Sequence, residues 1–201
     1  MASRQQSIAR RCSYLLEPKN WLVVTLLGLG WRFDPAARAA GLCWGALAAV
    51  FAAAIPMVFI GHGVRNGRFA DRYVGARGPR LLVLAVILAS IGMGLALLVL
   101  LGAPRQLAGY LVFMLCSVAL LALLTTVWKV SIHCAVSAGS VVVLARAFGP
   151  ALLALFALVA LVGWSRVALR DHTVVQAVAG TVLGGATAAV AYTVSGAFTG
   201  L

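Results

Sequence analysis

Apolar residues run in long, nearly uninterrupted blocks along most of this chain, and short clusters of Arg, Lys, Pro, Gly and His break them at intervals. A hydrocarbon core about 30 Å thick is crossed by roughly 20 residues of helix rising 1.5 Å per residue. Six blocks approach that length, at 41–61, 81–103, 107–127, 131–147, 150–169 and 174–196; the fourth is short and the fifth has polar ends. The pattern predicts an all-α integral membrane protein, with a six-transmembrane-helix bundle over 41–201. Residues 1–40 read differently. Arg4, Arg10, Arg11 and Lys19 precede Trp21 and the apolar run Leu22 to Leu27, which is too short to span and suits a basic amphipathic helix at the interface. A cleavable signal peptide is not expected, because the apolar core is short and starts late.

Composition sharpens this picture. Hydrophobic residues make up 63% of the 201 and charged residues 10%, where a soluble domain has about a quarter charged. The formal charge of +12 comes from 14 Arg and 2 Lys against Glu17, Asp34, Asp71 and Asp171. A basic protein in a bilayer meets phosphate head groups sooner than nucleic acid, so membrane lipids are expected partners and nucleic acid is not. Four scattered acids cannot build the carboxylate cluster that a hard divalent cation requires, so no metal and no other cofactor is expected. Cys12, Cys43, Cys116 and Cys134 have no paired spacing and read as packing cysteines rather than disulfides.

If six spans alternate, one membrane face receives loop 62–80, the stretch around Lys129 and residues 165–173. The other receives the N-terminal region, Arg105, Arg146 and the C-terminus. Each face then holds eight Lys and Arg, so the positive-inside rule gives a tie. The first face, however, carries all three histidines, His62, His133 and His172, and two of the four acids. Ionisable groups in or at the edge of a span are costly and mark function. Snorkelling accounts for Arg105 and Arg146, but not for Lys129, His133, Arg166 and His172 together.

Three segments on that face could meet. Gly67 to Arg80 contains Arg77 and Arg80 and, standing alone, is most simply a basic juxtamembrane loop. Trp128-Lys129-Val130-Ser131-Ile132-His133 joins the third span to the fourth; Ser131 suits an N-cap, and the helix it opens would offer N–H groups to an anion. Gly163 to Gln176 joins the fifth span to the sixth, with Asp171 as a candidate cap and His172 and Gln176 one helical turn apart. A histidine alone at a helix end is more often structural than catalytic. Two histidines, one serine and at least four cations on one face with almost no carboxylate instead suit a phosphate dianion held without metal. A neutral imidazole is a competent nucleophile near pH 7, and a second can protonate a leaving oxygen.

These residues resemble the type 2 phosphatidic acid phosphatase superfamily over roughly residues 60–195. Its membrane members have a six-helix core and the motifs Lys-x6-Arg-Pro, Pro-Ser-Gly-His and Ser-Arg-x5-His-x3-Asp. Ser165-Arg166, five residues and His172 match the third, and Val130-Ser131-Ile132-His133 keeps Ser and His of the second. The resemblance implies His172 as the nucleophile that forms a phosphohistidine, and His133 as the acid that protonates the departing oxygen. It implies phosphate binding by Arg166 and Ser131, and by Arg77 and Arg80 from a degenerate first motif, with Lys129 replacing the missing lysine. Gln176 stands where the motif has Asp. A Gln carbonyl can hold the imidazole tautomer but supplies no charge, so a slower or differently tuned enzyme is expected. A branch of the superfamily reads Lys-Ile-Ser-x-His and Arg-x5-His-Thr-x2-Gln, which Lys129 to His133 and Arg166 to Gln176 resemble.

The implied activity is metal-independent cleavage of a lipid phosphate or a polyprenyl phosphate or diphosphate. The alternatives are a lipid-phosphate-binding protein with little or no turnover and a phosphotransferase on the same scaffold. A transporter is disfavoured, since polar residues gather at one face instead of marking a path across the bilayer. Gly180 and Gly184 have the small-xxx-small spacing of close helix packing. Setting Arg77, Arg80, Lys129 and Arg166 aside for substrate leaves four cations on the histidine face against eight opposite. That places the termini in the cytoplasm and the site on the outer face of a plasma membrane. The Ala, Gly, Val and Arg bias points to a high-GC bacterial source. Substrate and oligomeric state are not specified by the sequence.

Overall fold

The computed structural model describes residues 4–34, 37–71 and 73–194, without the side chains of 77 and 192–194. The last two positions of the final predicted span, 195–196, lie outside the described residues. Among the described residues every regular element is helical. The helices are α1 (Arg4–Leu15), α2 (Pro18–Phe33), α3 (Arg38–Ala49), α4 (Ile55–Arg65), α5 (Arg77–Leu100), α6 (Arg105–Val127), α7 (Ile132–Phe148), α8 (Phe156–Ala168) and α9 (Val174–Val194). A π turn, Val50–Ala54, joins α3 to α4, and a 3₁₀ turn, Pro150–Leu155, leads into α8.

Among the described residues five helices are long and apolar enough to cross a membrane: Arg38–Arg65, Gly78–Leu100, Arg105–Val127, Pro150–Ala168 and Val174–Ala191. The chain is thus a multi-pass membrane protein. The remaining predicted run, 131–147, forms α7, which is apolar but only 17 residues long, about 25 Å at helical rise. Gly149 closes it at φ 121°, a conformation open to glycine, and Pro150 follows.

The described chain divides into two compact units. One is built from Leu22–Trp128, the other from the N-terminal residues to Trp21 together with Lys129–Val194. In the first, the π turn has a local cause. Pro56 brings no N–H and crowds the carbonyl one turn back, so the winding loosens just before it, and the Phe51 carbonyl accepts from Ser90 Oγ at 2.6 Å. Ile60, Phe69, Val74 and Val83 form a small core under the loop after α4. There Asp71 Oδ1 accepts from the N–H groups of Tyr73, at 2.7 Å, and Val74, at 3.1 Å, and Val74 adopts φ 46°.

The second unit centres on α7, of whose 17 residues eleven are buried, all of them Ala, Ser, Gly or Val except Cys134 and Leu144. Small residues let α9 approach closely. A Cβ at Gly180 would run into the Ser131 carbonyl, and one at Gly184 into the Ala135 carbonyl, so the Gly-x3-Gly spacing is explained by packing. The N-terminal region, expected as one amphipathic segment, forms two helices. The inner face of α1, with Ala9 and Ser13 buried, packs on α8, while Arg4, Arg10 and Arg11 stay exposed. Leu16 joins the cluster of Cys134, Val162 and Ala177, and Trp21 packs against Ala138, Val141 and Val159. All four cysteines are free. Cys134 is buried as a packing residue, whereas Cys43 and Cys116 lie exposed on helix faces and do not fit that reading.

Candidate active site

Both segments that carry the second and third motifs lie in the unit containing α7 and α9. At the first, Trp128 is extended, and the fully buried Ser131 caps α7, its Oγ accepting from the Cys134 N–H at 3.4 Å. The expected cap is therefore formed. The Ser131 N–H donates to the Gln176 carbonyl at 3.2 Å, which ties the start of α7 to the first turn of α9. His133 follows on the first turn of α7, half-buried.

The second segment is a tight reversal between α8 and α9. Leu169 ends α8, and Arg170 takes the left-handed conformation at φ 58°. The Arg170 N–H donates to the Val167 carbonyl at 2.9 Å and the Asp171 N–H to the Arg166 carbonyl at 3.0 Å. This pair of bonds is a Schellman motif with arginine where glycine is usual. It folds Asp171 back over the last turn of α8, where its Oδ2 meets Arg166 Nη2 at 2.9 Å. Lys129 Nζ donates to the Asp171 carbonyl at 2.8 Å, and Arg166 Nη1, on a buried side chain, donates to Ser13 Oγ at 2.8 Å.

The expectation that Asp171 caps the last helix is corrected: its carboxylate is committed to Arg166, and Thr173 takes the cap. The Gln176 N–H donates to Thr173 Oγ1 at 3.3 Å, and the Thr173 N–H donates to Gln176 Oε1 at 3.1 Å. These reciprocal bonds form a capping box. Because a backbone N–H can only donate, it fixes which end of the Gln176 amide is oxygen. That oxygen lies 3.2 Å from His172 Nδ1. Two acceptors cannot bond, so Nδ1 carries a proton, and in the neutral ring the lone pair is then on Nε2. One side chain thereby both starts α9 and selects the imidazole tautomer.

Lys129, Ser131, His133, Arg166, His172 and Gln176 are thus gathered at the ends of α7, α8 and α9. Arg77 and Arg80 belong to the other unit, where Arg77 opens α5 and Arg80 is buried. His62 also lies there, with Asn66 Nδ2 at 2.8 Å from its Nε2. Each acid has a local role: Glu17 pairs with Lys19 at 3.0 Å, Asp34 accepts from the Ala37 N–H, Asp71 holds its loop and Asp171 pairs with Arg166. Among the described residues no three potential metal ligands cluster.

Sequence reasoning missed three residues. Thr173 was signalled by Thr-x-x-Gln, the capping-box pattern. Asp171 as an ion-pair partner needed the reversal after α8, and an arginine in the left-handed region gives no sequence warning. Ser13 lies 153 positions from Arg166 and had no local signal.

A family model described as the PAP2 superfamily matches residues 125–199, the stretch that contains both segments. Neither the curated proteins nor the solved structures yield a match.

Proposed function

We propose that this chain, whose residues 125–199 match the PAP2 superfamily model, hydrolyses a lipid phosphate or a polyprenyl phosphate or diphosphate without metal, through a phosphohistidine. His172 Nε2 attacks phosphorus, forming the P–N bond as the P–O bond to the leaving group breaks, and His133 gives that oxygen a proton. Water then cleaves the P–N bond and releases phosphate. Arg166, Lys129 and the N–H groups at the start of α7 neutralise the phosphoryl oxygens. The observation that carries this reading is the double use of Gln176 Oε1, which leaves the His172 lone pair on Nε2.

In this reading α7 is a short sixth span, shielded by its neighbours. Ser13 of α1 bonds Arg166 at the site's end of α8, so the N-terminal helix lies at the same end as the site and not on the opposite face as the span alternation implied; protease accessibility of a tag after Leu201 tests which side of the membrane holds the C-terminus. The functional test is phosphate release in EDTA from a panel of lipid phosphates by detergent-solubilised protein, wild type against His172→Ala. Equal background rates for the two would refute hydrolysis. The neutral Gln176 favours one second reading, a protein that binds lipid phosphate and turns it over weakly. Equilibrium binding of the same panel without phosphate release would support it. An added alcohol acceptor, with product analysis, distinguishes transfer from hydrolysis.

A further inference from the structure

Arg166 is buried, yet one polar partner reaches it from the far end of the sequence. Its Nη1 donates to Ser13 Oγ at 2.8 Å, while Nη2 meets Asp171 Oδ2 at 2.9 Å. The guanidinium is a rigid planar fork, and acceptors at both terminal nitrogens set the direction of that plane. One acceptor comes from the loop that carries His172. The other comes from α1, outside the stretch that matches the family. Ser13 lies on the inner face of α1, with Ala9 one turn before it and Leu16 after it, a position where an apolar side chain would pack equally well. A buried hydroxyl is costly without a partner, and here the partner is the arginine.

We propose that Ser13 is a positioning residue for Arg166, which makes α1 a working part of the phosphate site. This rests on the reading of Arg166 as a phosphoryl ligand given above. The helix itself is basic, since its described residues include Arg4, Arg10 and Arg11 and no acid. Removing the Ser13 hydroxyl leaves Nη1 without that acceptor and frees the fork to turn, so oxyanion binding weakens while the nucleophile is untouched.

The test uses the full chain in detergent with Ser13→Ala, Ser13→Thr and, as control, Ser7→Ala, an exposed position on the same helix. The Kd for inorganic phosphate is measured, together with kcat and KM for p-nitrophenyl phosphate in EDTA. Ser13→Ala is expected to raise both Kd and KM about tenfold, the size of one lost charged hydrogen bond, with a smaller fall in kcat. Ser13→Thr should restore both values, and Ser7→Ala should match wild type. If Ser13→Ala does not yield monodisperse protein, Ser13→Cys, which keeps the packing and weakens the acceptor, is read in the same way.

Unchanged Kd and KM in Ser13→Ala overturn the proposal, and so does failure of Ser13→Thr to rescue. If phosphate binds and Ser13→Ala weakens it while no variant turns over ester, the positioning role stands and the hydrolase reading falls. If wild type turns over ester and Ser13→Ala leaves Kd and KM unchanged, the reverse holds. A wild type that neither binds phosphate nor cleaves ester overturns both.

Discussion

Gln176→Glu probes the link between helix capping and nucleophile most directly. Glutamate has the same reach as glutamine and is equally at home at the third position of a capping box, so its bond from the Thr173 N–H, now 3.1 Å, should persist. What changes is the charge of the atom facing His172 Nδ1, now a neutral carbonyl at 3.2 Å. A hydrogen bond to a charged acceptor contributes about 1.5–3 kcal/mol where a neutral one contributes about 0.5–1.5. The imidazole gains positive charge only as Nε2 bonds to phosphorus, so most of the difference of about 1–1.5 kcal/mol falls on the transition state. At roughly 1.4 kcal/mol per factor of ten, kcat should rise about five- to tenfold at pH 7, where glutamate is ionised.

Gln176→Leu removes both bonds, and should lower kcat at least about tenfold and stability by about 1 kcal/mol through the lost cap. The assay is phosphate release under single-turnover conditions in EDTA, with melting temperatures measured alongside. A Gln176→Glu rate at or below wild type, with an undiminished Gln176→Leu, would show that the Nδ1 contact has no part in catalysis.

Asp171→Asn should lower the melting temperature, by about 1–2 kcal/mol in stability, because it removes the partner of a buried arginine through a carboxylate that is itself only partly buried. It should also reduce activity, and unchanged melting would refute the pairing. Arg170→Gly, at φ 58°, relieves a left-handed residue and should raise stability by about 1 kcal/mol with activity unchanged; a fall in thermal melting would contradict the Schellman assignment. Gly184→Val should cost more than about 3 kcal/mol and abolish a monodisperse species, since even its Cβ meets the Ala135 carbonyl. Gly185→Ala, whose nearest neighbour would be a Val142 methyl at 4.0 Å, should behave as wild type on size-exclusion chromatography.

The membrane character of the chain and the positions of its helices are legible in sequence because hydrocarbon imposes one length on every helix that crosses it. Where that rule fails to bind, the reading loosens. The first span runs from Arg38 through a π turn to Arg65, longer than the block at 41–61, because Arg38 and the residues around His62 continue the helix beyond the apolar stretch. At the site, the Ser131 cap is formed as read, and His172 does meet Gln176, but from the bend before α9 and not from the face of that helix. Thr173 takes the cap expected of Asp171, and Asp171 pairs with Arg166, because the reversal after α8 turns on the backbone of Arg170, which no residue preference announces. Ser13 is invisible to any local pattern, since it acquires meaning only when α1 meets α8.

The close fit of α7 and α9 has a bearing on how the chain is made. A helix of 17 residues with Ser137 and Ser140 along its buried side is a poor candidate to partition into lipid alone. Its surface is completed by glycine-bearing α9, the last of the described elements to leave the ribosome. Biogenesis of this unit is therefore a late, paired event. The segment that bears His133 finishes docking only when the one beginning just after His172 has been synthesised, and a nascent chain stopped before Val174 would hold neither half of the site in place.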